Sequence, residues 1–391
     1  MDASLPLIPL RRAVDAVWPV CARPQGRLPT LGCVLLAVEG GHLRLRATNL
    51  EMMLDLTVAA RVREDGMAVP VARDLRALLG RLPAGRVRLV ASCSDAHTLT
   101  ASCRGVTGAV PVSDPALFPD ARPMGDEATA TVPASVLKRL LTAVVFAVAD
   151  LTAVDRGILS GGLCALEPGR VTVVGANGFI LAVASQEIGT GLAAPQSIVV
   201  RGHILRRLAA LLPEGDDPAT LAINAETLAV SWGPVRLVAR LMDGTYPDYR
   251  RLIPTERAPE AEVARADVAA AVAAATLRPA SRDHACVLTV ALDTDHVEVR
   301  GRLDVTTFGG TPAPAGLGTT ALARATVTGE PAGATFKAGD LSAILSALAG
   351  AERVTLALYG PTRPGVLRAV DDEAALTYIF MPMVPRRGDV G

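Results

Sequence analysis

The sequence predicts an α+β fold assembled from six copies of one unit, in which a short amphipathic helix accompanies about four antiparallel strands. Three observations predict it: apolar residues recur at helical spacing, the recurrence is nearly regular, and short strand-like runs fill the intervals. The copies begin 65, 62, 67, 64 and 73 residues apart, at Leu10, Leu75, Leu137, Ile204, Val268 and Leu341. A supersecondary unit that recurs in this way indicates a repeat architecture, which builds a curved scaffold more readily than a single cleft.

The helical elements are predicted from apolar residues at i, i+3, i+4 and i+7. The second copy shows the pattern fully between Leu75 and Leu82, and such spacing gives a helix one buried face. The fifth copy is weaker, and Arg207 interrupts the fourth. The predicted helical segments are 7–20, 69–83, 132–145, 199–213, 263–277 and 336–350.

The strands and the domain boundaries follow from the intervals. Runs such as Leu43–Ala47 and Val171–Gly175 are short, apolar and bounded by Gly, Pro or Asp, which is typical of hairpins. Two units can close a core if both helices lie on one face of the sheets, so six units predict three domains: 1–124, 125–253 and 254–391. The extended connectors Phe118–Pro123 and Tyr246–Pro254 mark the boundaries, because a residue before proline avoids the helical region.

Positive charge is concentrated on the predicted helices. The chain of 391 residues has a formal net charge of 0, which argues against a uniformly basic coat. In chain order the six helical segments carry charges of +1, +2, +2, +3, 0 and 0, and the remaining residues carry −8. Either the helices face a polyanion, or their surfaces are charged simply because they are solvated.

Cysteine usage and the N-terminal segment predict a cytoplasmic protein that does not contact a membrane. None of the six cysteines forms a CxxC pair, and scattered thiols suit a reducing compartment. The first residues lack a basic segment followed by an apolar core. No stretch reaches the roughly 18 apolar residues that a membrane span requires.

Motifs for catalysis are missing from the sequence. There is no phosphate loop of the form GxxxxGK[ST], no HExxH and no GxSxG, so no catalytic residue, metal or cofactor is predicted. The acidic clusters 214–217 and 371–373 could hold a hard cation, although solvated loop charge is the favoured interpretation. A metal-dependent enzyme that uses these clusters is the alternative from a different functional class.

Three short motifs resemble those of the bacterial DNA polymerase III β sliding clamp, and the resemblance spans essentially the whole chain. Ala47–Met52 is similar to the family's T-D-L-E-M, Tyr246–Arg251 to F-P-D-Y-R-R, and Met381–Met383 to the terminal M-P-M. Their order and spacing, together with six repeats, make the match specific.

The resemblance implies a DNA-clamp fold and a non-enzymatic processivity factor. Two subunits would associate head to tail into a ring around duplex DNA, with helices inside and sheets outside, and would tether the replicative polymerase. The implied partners are duplex DNA of any sequence, the DNA polymerase III α subunit, the clamp loader, and other polymerases and repair proteins that carry short linear peptides. The alternative within the fold is a divergent paralogue with altered partner or inhibitor binding.

The resemblance and the helix charges designate residues for contact with DNA. The candidates are Arg23, Arg27, Arg73, Arg76, Lys138, Arg139, Arg201 and Arg206. Arg23 and Arg27 flank Gln25, which stands where the family often has an arginine. Because the last two helices carry no net charge, DNA is expected to lean toward the first two domains.

The resemblance also implies an apolar pocket for partner peptides between the second and third domains, and a subunit interface that includes Thr276 and Leu277. The matching pocket positions are Leu159, Ala176, Gly178, Phe179, Ile180, Leu181, Pro247, Arg251, Leu252, Ile379, Met381, Pro382 and Met383.

The chain departs from the family at three places near these sites. Phe179 and Ile180 replace a His-Arg pair, so the pocket should be more apolar and poorer in donors. Thr276 and Leu277 stand where a larger apolar pair is common, which bears on dimer strength. The tail Pro385–Gly391 continues beyond the family's usual end.

Overall fold

A computed structural model describes residues 1–21, 28–92, 97–119, 128–149, 157–278, 284–305, 318–370 and 372–383. Arg23, Arg27 and the tail 385–391 lie outside the described residues.

Six α-helices are present in the described part of the chain, and each lies within its predicted segment. They are α1 Leu7–Val17, α2 Ala72–Arg81, α3 Ala134–Val144, α4 Gly202–Leu211, α5 Arg265–Ala275 and α6 Ala338–Ala347. The apolar spacing explains them, because α5 buries Val268, Ala271, Val272 and Ala275, the weakest of the predicted faces. The helix prediction is confirmed for all six copies.

Twenty-five β-strands accompany the helices in the described ranges. The first thirteen are β1 Asp2–Pro6, β2 Leu35–Glu39, β3 His42–Thr48, β4 Met52–Ala59, β5 Arg61–Glu64, β6 Gly66–Pro70, β7 Arg86–Ser92, β8 Thr98–Cys103, β9 Val106–Ser113, β10 Ala128–Pro133, β11 Gly161–Glu167, β12 Arg170–Ala176 and β13 Ile180–Glu187. The remaining twelve are β14 Gln196–Arg201, β15 Pro218–Ile223, β16 Thr227–Trp232, β17 Val235–Arg240, β18 Glu260–Ala264, β19 His284–Leu292, β20 His296–Val305, β21 Gly318–Thr328, β22 Ala332–Lys337, β23 Arg353–Leu358, β24 Gly365–Ala369 and β25 Ala375–Phe380.

The strands form two antiparallel sheets. The first has thirteen strands in the order β10-β15-β16-β17-β4-β3-β2-β6-β9-β8-β7-β1-β5. The second has twelve in the order β14-β11-β12-β13-β25-β24-β23-β18-β21-β20-β19-β22. A sheet-rich fold with six short helices confirms the predicted α+β class.

Each sheet belongs to one compact unit. Unit 1 comprises Met1–Ser135 and Ala210–Leu241, and unit 2 comprises Val136–Ala209 and Met242–Gly391. The predicted middle domain is divided between them, because β17 hydrogen-bonds to β4 while β13 hydrogen-bonds to β25. The boundaries 1–124, 125–253 and 254–391 stay a prediction.

Backbone hydrogen bonds at helix starts repeat along the chain. The first N–H of α1, at Leu7, donates to the carbonyl of Gly85, and that of α5, at Arg265, donates to the carbonyl of Glu352. Ala134, at the start of α3, donates to the carbonyl of Asp217 in the same way. A neighbouring loop thus satisfies a helix N–H that a capping side chain would otherwise take. This explains why these helices begin without Ser, Thr, Asp or Asn caps.

Helix α5 packs very closely on its sheet. A Cβ atom at Gly301 of β20 would lie 1.7 Å from the carbonyl oxygen of Ala275, so only glycine permits this approach. The small residues of α5 therefore match a close contact, which accounts for the weak helical pattern in the fifth copy.

Candidate functional site

A pocket of about 620 Å³ lies in unit 2 beside β12, β13 and β25. Its lining includes eleven of the thirteen predicted positions: Leu159, Ala176, Gly178, Phe179, Ile180, Leu181, Pro247, Arg251, Leu252, Ile379 and Met381. Pro382 and Met383 are not among the lining residues. The N–H of Met383 donates to the carbonyl of Thr335 at 2.7 Å, so the main chain there is attached to β22 rather than to the pocket.

The β12–β13 hairpin tip positions the pocket's most exposed aromatic ring. Asn177 Oδ1 accepts hydrogen bonds from the backbone N–H groups of Phe179 and Ile180, both at 2.9 Å. Gly178 has a φ of 85°, which suits glycine. The N–H of Met381 donates to the carbonyl of Phe179 at 2.8 Å. These bonds hold Phe179 at the rim with 45% of its surface exposed.

A cation lies over that ring. The Nζ atom of Lys337 is 4.2 Å from the centroid of Phe179, a distance suited to a cation–π contact. The pocket rim therefore presents an aromatic ring and an ammonium group.

The pocket floor belongs to a buried apolar cluster that includes Leu181, Ile379, Tyr246 and Tyr249. The hydroxyl of Tyr246 is buried and has no hydrogen-bond partner among the described residues. Burial raises the pKa of Tyr246 to about 12, and the nearby backbone of Ala176 opposes this shift without reaching the geometry of a hydrogen bond. Burial also raises the pKa of Tyr249.

Ion pairs border the pocket. Arg251 Nε donates to Asp248 at 3.0 Å, and Arg363 donates through two nitrogens to Glu256 at 3.0 and 2.5 Å. The Glu256 carboxylate beside Arg363 has its pKa lowered by those bonds. The apolar floor is thus enclosed by charged groups that already have partners.

Eight lining residues were not predicted from the sequence. They are Tyr246, Tyr249, Ile253, Pro254, Thr255, Glu256, Arg363 and Pro364. The first four lie in the Tyr246–Pro254 connector, which the sequence had marked as a motif. Arg363 and Pro364 lie between β23 and β24, and no local pattern in the sequence points to them.

Two of the predicted DNA contacts are exposed arginines of α2. The side chains of Arg73 and Arg76 are 69% and 54% exposed. Arg76 Nε donates to Asp15 at 2.5 Å and its guanidinium lies 5.9 Å from the Trp18 ring centroid. Arg73 Nε donates to the adjacent Asp74 at 2.9 Å. Both guanidinium groups retain open donors toward solvent.

The predicted contacts on α3 and α4 are more engaged. Arg139 donates to Gln186 at 2.5 Å and to Asp372 and Glu373, each at 3.4 Å. Lys138, Arg201 and Arg206 are half-buried, and Arg206 donates to the carbonyl of Val148 at 3.3 Å. These side chains have less freedom to meet a phosphate than those of α2.

Arg207 and the predicted interface residues have structural partners. Burial lowers the pKa of Arg207, which suits an aliphatic stem packed against the protein. The Thr276 hydroxyl donates to the carbonyl of Val272 at 2.6 Å, and the Leu277 N–H donates to Cys286 Sγ at 3.2 Å. Both interface candidates lie just after α5.

In the described ranges, no group of three or more His, Cys, Asp or Glu residues could hold a metal ion. Among the helices described, none is long and apolar enough to cross a membrane.

Known proteins resemble this chain in sequence. The family model for the central domain of the DNA polymerase III beta subunit matches residues 131–248. The beta sliding clamp of Escherichia coli K12 is 31% identical over 239 residues, which are 60% of this chain and 63% of that protein. The beta sliding clamp of Vibrio cholerae is 27% identical over 59% of this chain and 62% of its own length. The alignments thus span less than two thirds of these relatives.

Solved structures share the fold over nearly the whole chain. A Pseudomonas aeruginosa sliding clamp (DNA polymerase III subunit beta) bound to griselimycin has a TM-score of 0.86 and 22% identity, covering 98% of this chain and 99% of that one. The Bacillus subtilis DNA polymerase sliding clamp has a TM-score of 0.86 and 18% identity with the same coverage.

Proposed function

We propose that the chain belongs to the family of bacterial DNA polymerase III beta subunits and that it is a sliding clamp, which encircles duplex DNA and tethers the replicative polymerase. The observation that carries the proposal is the sequence match to beta sliding clamps, which includes the family's central domain at residues 131–248. The family is one of non-catalytic processivity factors, so the protein acts by binding. It works in the cytoplasm, where the replication machinery of bacteria is located.

The clamp is a head-to-tail homodimer of three-domain subunits with boundaries 1–124, 125–253 and 254–391. A heterologous contact needs two different surfaces. Two strand segments, each hydrogen-bonded to a neighbouring strand along one edge only, support this arrangement. In the described residues, Val106–Val110 of β9 is paired only with β8, and Gly318–Arg324 of β21 is paired only with β20. Exposed strand edges of this kind are ready to pair with another chain. Thr276 and Leu277 contribute to the same interface.

Duplex DNA passes the basic helices and is bound through its phosphates. Contacts of this type are independent of sequence and allow sliding. The exposed side chains of Arg73 and Arg76 are the principal contacts, and Lys138, Arg139, Arg201 and Arg206 contribute less because they are half-buried. Arg23 and Arg27 complete the set.

The unit 2 pocket accepts short linear peptides from the DNA polymerase III α subunit, the clamp loader, and other polymerases and repair proteins. Its apolar floor and charged border suit an extended peptide with apolar side chains.

Phe179 with Lys337 at the rim favours the second candidate function, a paralogue with altered partner or inhibitor binding. Calorimetric titration with the clamp-binding segment of the host polymerase separates the two: micromolar affinity supports the replicative clamp, and loss of binding supports the paralogue.

Ring formation is tested by two measurements. Light scattering after size exclusion is expected to give a mass near twice 40.4 kDa. The protein, loaded by the clamp loader of its own organism, is expected to stay on nicked circular DNA and to slide off after linearisation. A monomeric mass together with equal retention on circles and linear DNA would overturn the proposal.

Charge reversal tests the DNA contacts. Arg73→Glu with Arg76→Glu is expected to reduce loading strongly, and Arg206→Glu with Arg207→Glu to reduce it less. The matched control is Arg63→Glu on β5, an exposed arginine of the sheet. Equal loading by all three variants would remove α2 from the DNA-facing surface.

A further inference from the structure

A second groove lies on the sheet of unit 1, across β3, β4, β16 and β17, and has a volume of about 630 Å³. Four arginines, Arg44, Arg46, Arg236 and Arg240, line it together with Leu50 at its edge. We call it the arginine groove. Nothing in the clamp function described above uses it.

The strand register arranges the charges in the groove. Asp55 of β4 lies opposite Arg46 of β3 on one side and opposite Arg236 of β17 on the other. Arg46 donates to both carboxylate oxygens of Asp55, at 2.6 and 2.7 Å. A bidentate pair of this kind satisfies the Asp55 carboxylate. Arg236, on the other side of Asp55, is therefore not needed to neutralise it.

The groove carries excess positive charge. The guanidinium groups of Arg44, Arg236 and Arg240 make no ion pair with any residue in the described ranges. Among the described lining residues, the remaining acidic group is Glu51. The described lining therefore has a net charge of +2, in a chain whose net charge is 0.

Leu50 at the edge of the groove is held in a costly conformation. Its φ is 72°, a left-handed value that side chains other than glycine, asparagine and aspartate rarely adopt. Asn49 Oδ1 accepts from the N–H groups of Glu51 and Met52, at 3.1 and 2.9 Å, and Thr48 Oγ1 accepts from the N–H of Leu50. The turn leaves 48% of the leucine exposed, and strain of this kind is concentrated at functional sites.

The same device is present at the pocket of unit 2. Asn177 organises the tip there, Gly178 takes the left-handed position, and the exposed apolar side chain is Phe179. In both places the strand that follows the tip pairs with a strand distant in sequence, β4 with β17 and β13 with β25. The arginine groove therefore has the backbone framework of a peptide pocket with a different lining.

We propose that the arginine groove binds an extended, acidic peptide segment of a partner protein, whose carboxylates pair with Arg44, Arg236 and Arg240 while an apolar residue packs on Leu50. The planar guanidinium group of an arginine can donate two hydrogen bonds to one carboxylate. The apolar side chains of Met53 and Val238 lie among the arginines in the groove. Charge complementarity of this kind selects acidic partners and accelerates their association.

The face on which the groove lies favours a peptide over nucleic acid. Helix α1 packs on β3 and β4, against the side that carries the fully buried Leu43 and Leu45. Side chains alternate across a strand, so Arg44 and Arg46 project from the opposite side. A duplex that follows the helices would not reach these arginines.

The test uses the full-length protein and a fluorescein-labelled peptide, Gly-Asp-Leu-Asp-Leu-Asp-Gly, followed by fluorescence anisotropy. Wild type is expected to bind, with affinity falling as salt rises. Arg236→Glu with Arg240→Glu is expected to weaken binding by at least about tenfold. Leu50→Ser is expected to weaken it less, and the control Arg63→Glu is expected to leave it unchanged.

Three outcomes would overturn the proposal. One is equal affinity for the peptide and its asparagine analogue, and another is an unchanged affinity in the Arg236→Glu/Arg240→Glu protein. The third is a single-stranded oligonucleotide that binds more tightly than the peptide and loses its affinity in the same variant, which would make the groove a nucleic-acid site. Arg236→Gln with Arg240→Gln, checked by circular dichroism, separates a lost contact from a folding defect.

Discussion

The pocket of unit 2 and the arginine groove of unit 1 use one backbone framework with two chemistries. In each, an asparagine side chain closes the turn before a strand, β13 in the pocket and β4 in the groove. An exposed apolar side chain stands at the tip of each turn: Phe179 in the pocket and Leu50 in the groove. The pocket floor is apolar and includes the buried tyrosines Tyr246 and Tyr249, whereas the groove presents the guanidinium groups of Arg44, Arg236 and Arg240.

The two sites show how copies of one repeated architecture come to differ in the side chains that they present. Hairpin geometry is set by turn residues and strand pairing, which both repeats retain. Partner chemistry is set by the outward side chains, which carry little of the folding energy and can change independently. The two sites should therefore respond to mutation separately.

The largest expected effect separates the two sites by ligand. Phe179→Asp with Met381→Asp places two charges at the apolar rim, and hot spots of this kind contribute at least about 2 kcal/mol each. Affinity for the polymerase segment is expected to fall about a thousandfold in calorimetry, while binding of the acidic peptide to the groove is unchanged. Parallel losses for both ligands would mean that one site serves both.

The second prediction concerns the pH dependence of stability that arises from Tyr246, a buried tyrosine of the pocket with no counterpart in the lining of the arginine groove. The pKa of Tyr246 is raised from 10 to about 12 in the folded protein, so its contribution to stability is present below pH 10 and is lost between pH 10 and 12. One side chain shifted by two units contributes about 2–3 kcal/mol. Urea unfolding at pH 8 and pH 11 measures about half of this loss, roughly 1.4 kcal/mol, because pH 11 lies midway between the two pKa values. Tyr246→Phe is expected to remove that part of the alkaline loss.

The raised pKa values of Tyr249 and Tyr378 act in the same direction, so some alkaline destabilisation remains in Tyr246→Phe. At neutral pH the variant is expected to gain up to about 1 kcal/mol, because it removes a buried hydroxyl without a partner. An unchanged alkaline profile would contradict this account of the hydroxyl.

Sequence periodicity predicted all six helices because each has one buried apolar face, even in α5, where the face consists of Val and Ala. The family resemblance pointed to eleven of the residues that line the pocket, most of them at a hairpin tip, a connector and the last strand. Arg363 and Pro364 were not predicted because tertiary folding alone brings the β23–β24 turn to the pocket. The arginine groove was not predicted for the same reason: Arg236 becomes a neighbour of Asp55 only through the pairing of β17 with β4.

A smaller effect compares the two turn tips directly. Gly178→Val places a β-branched residue at a φ of 85° and is expected to cost about 1–3 kcal/mol. Leu50→Gly removes the same kind of strain and is expected to stabilise by about 0.5–1 kcal/mol, less the loss of a half-exposed side chain. Denaturant midpoints measure both. Changes of the same sign would show that the tips are not equivalent.

The smallest effect tunes the groove charge through Asp55. Asp55→Asn keeps the side-chain shape but removes the carboxylate that Arg46 pairs with, which raises the net charge of the groove by one. Affinity for the acidic peptide is expected to rise about two- to fivefold at low salt, in keeping with roughly 0.4–1 kcal/mol for a partly exposed charge. The gain should fade near 0.5 M salt, because screening weakens exposed pairs. A loss of affinity would instead mean that the Arg46–Asp55 pair orients the groove, with Asp55 holding Arg46 in the geometry that the peptide meets.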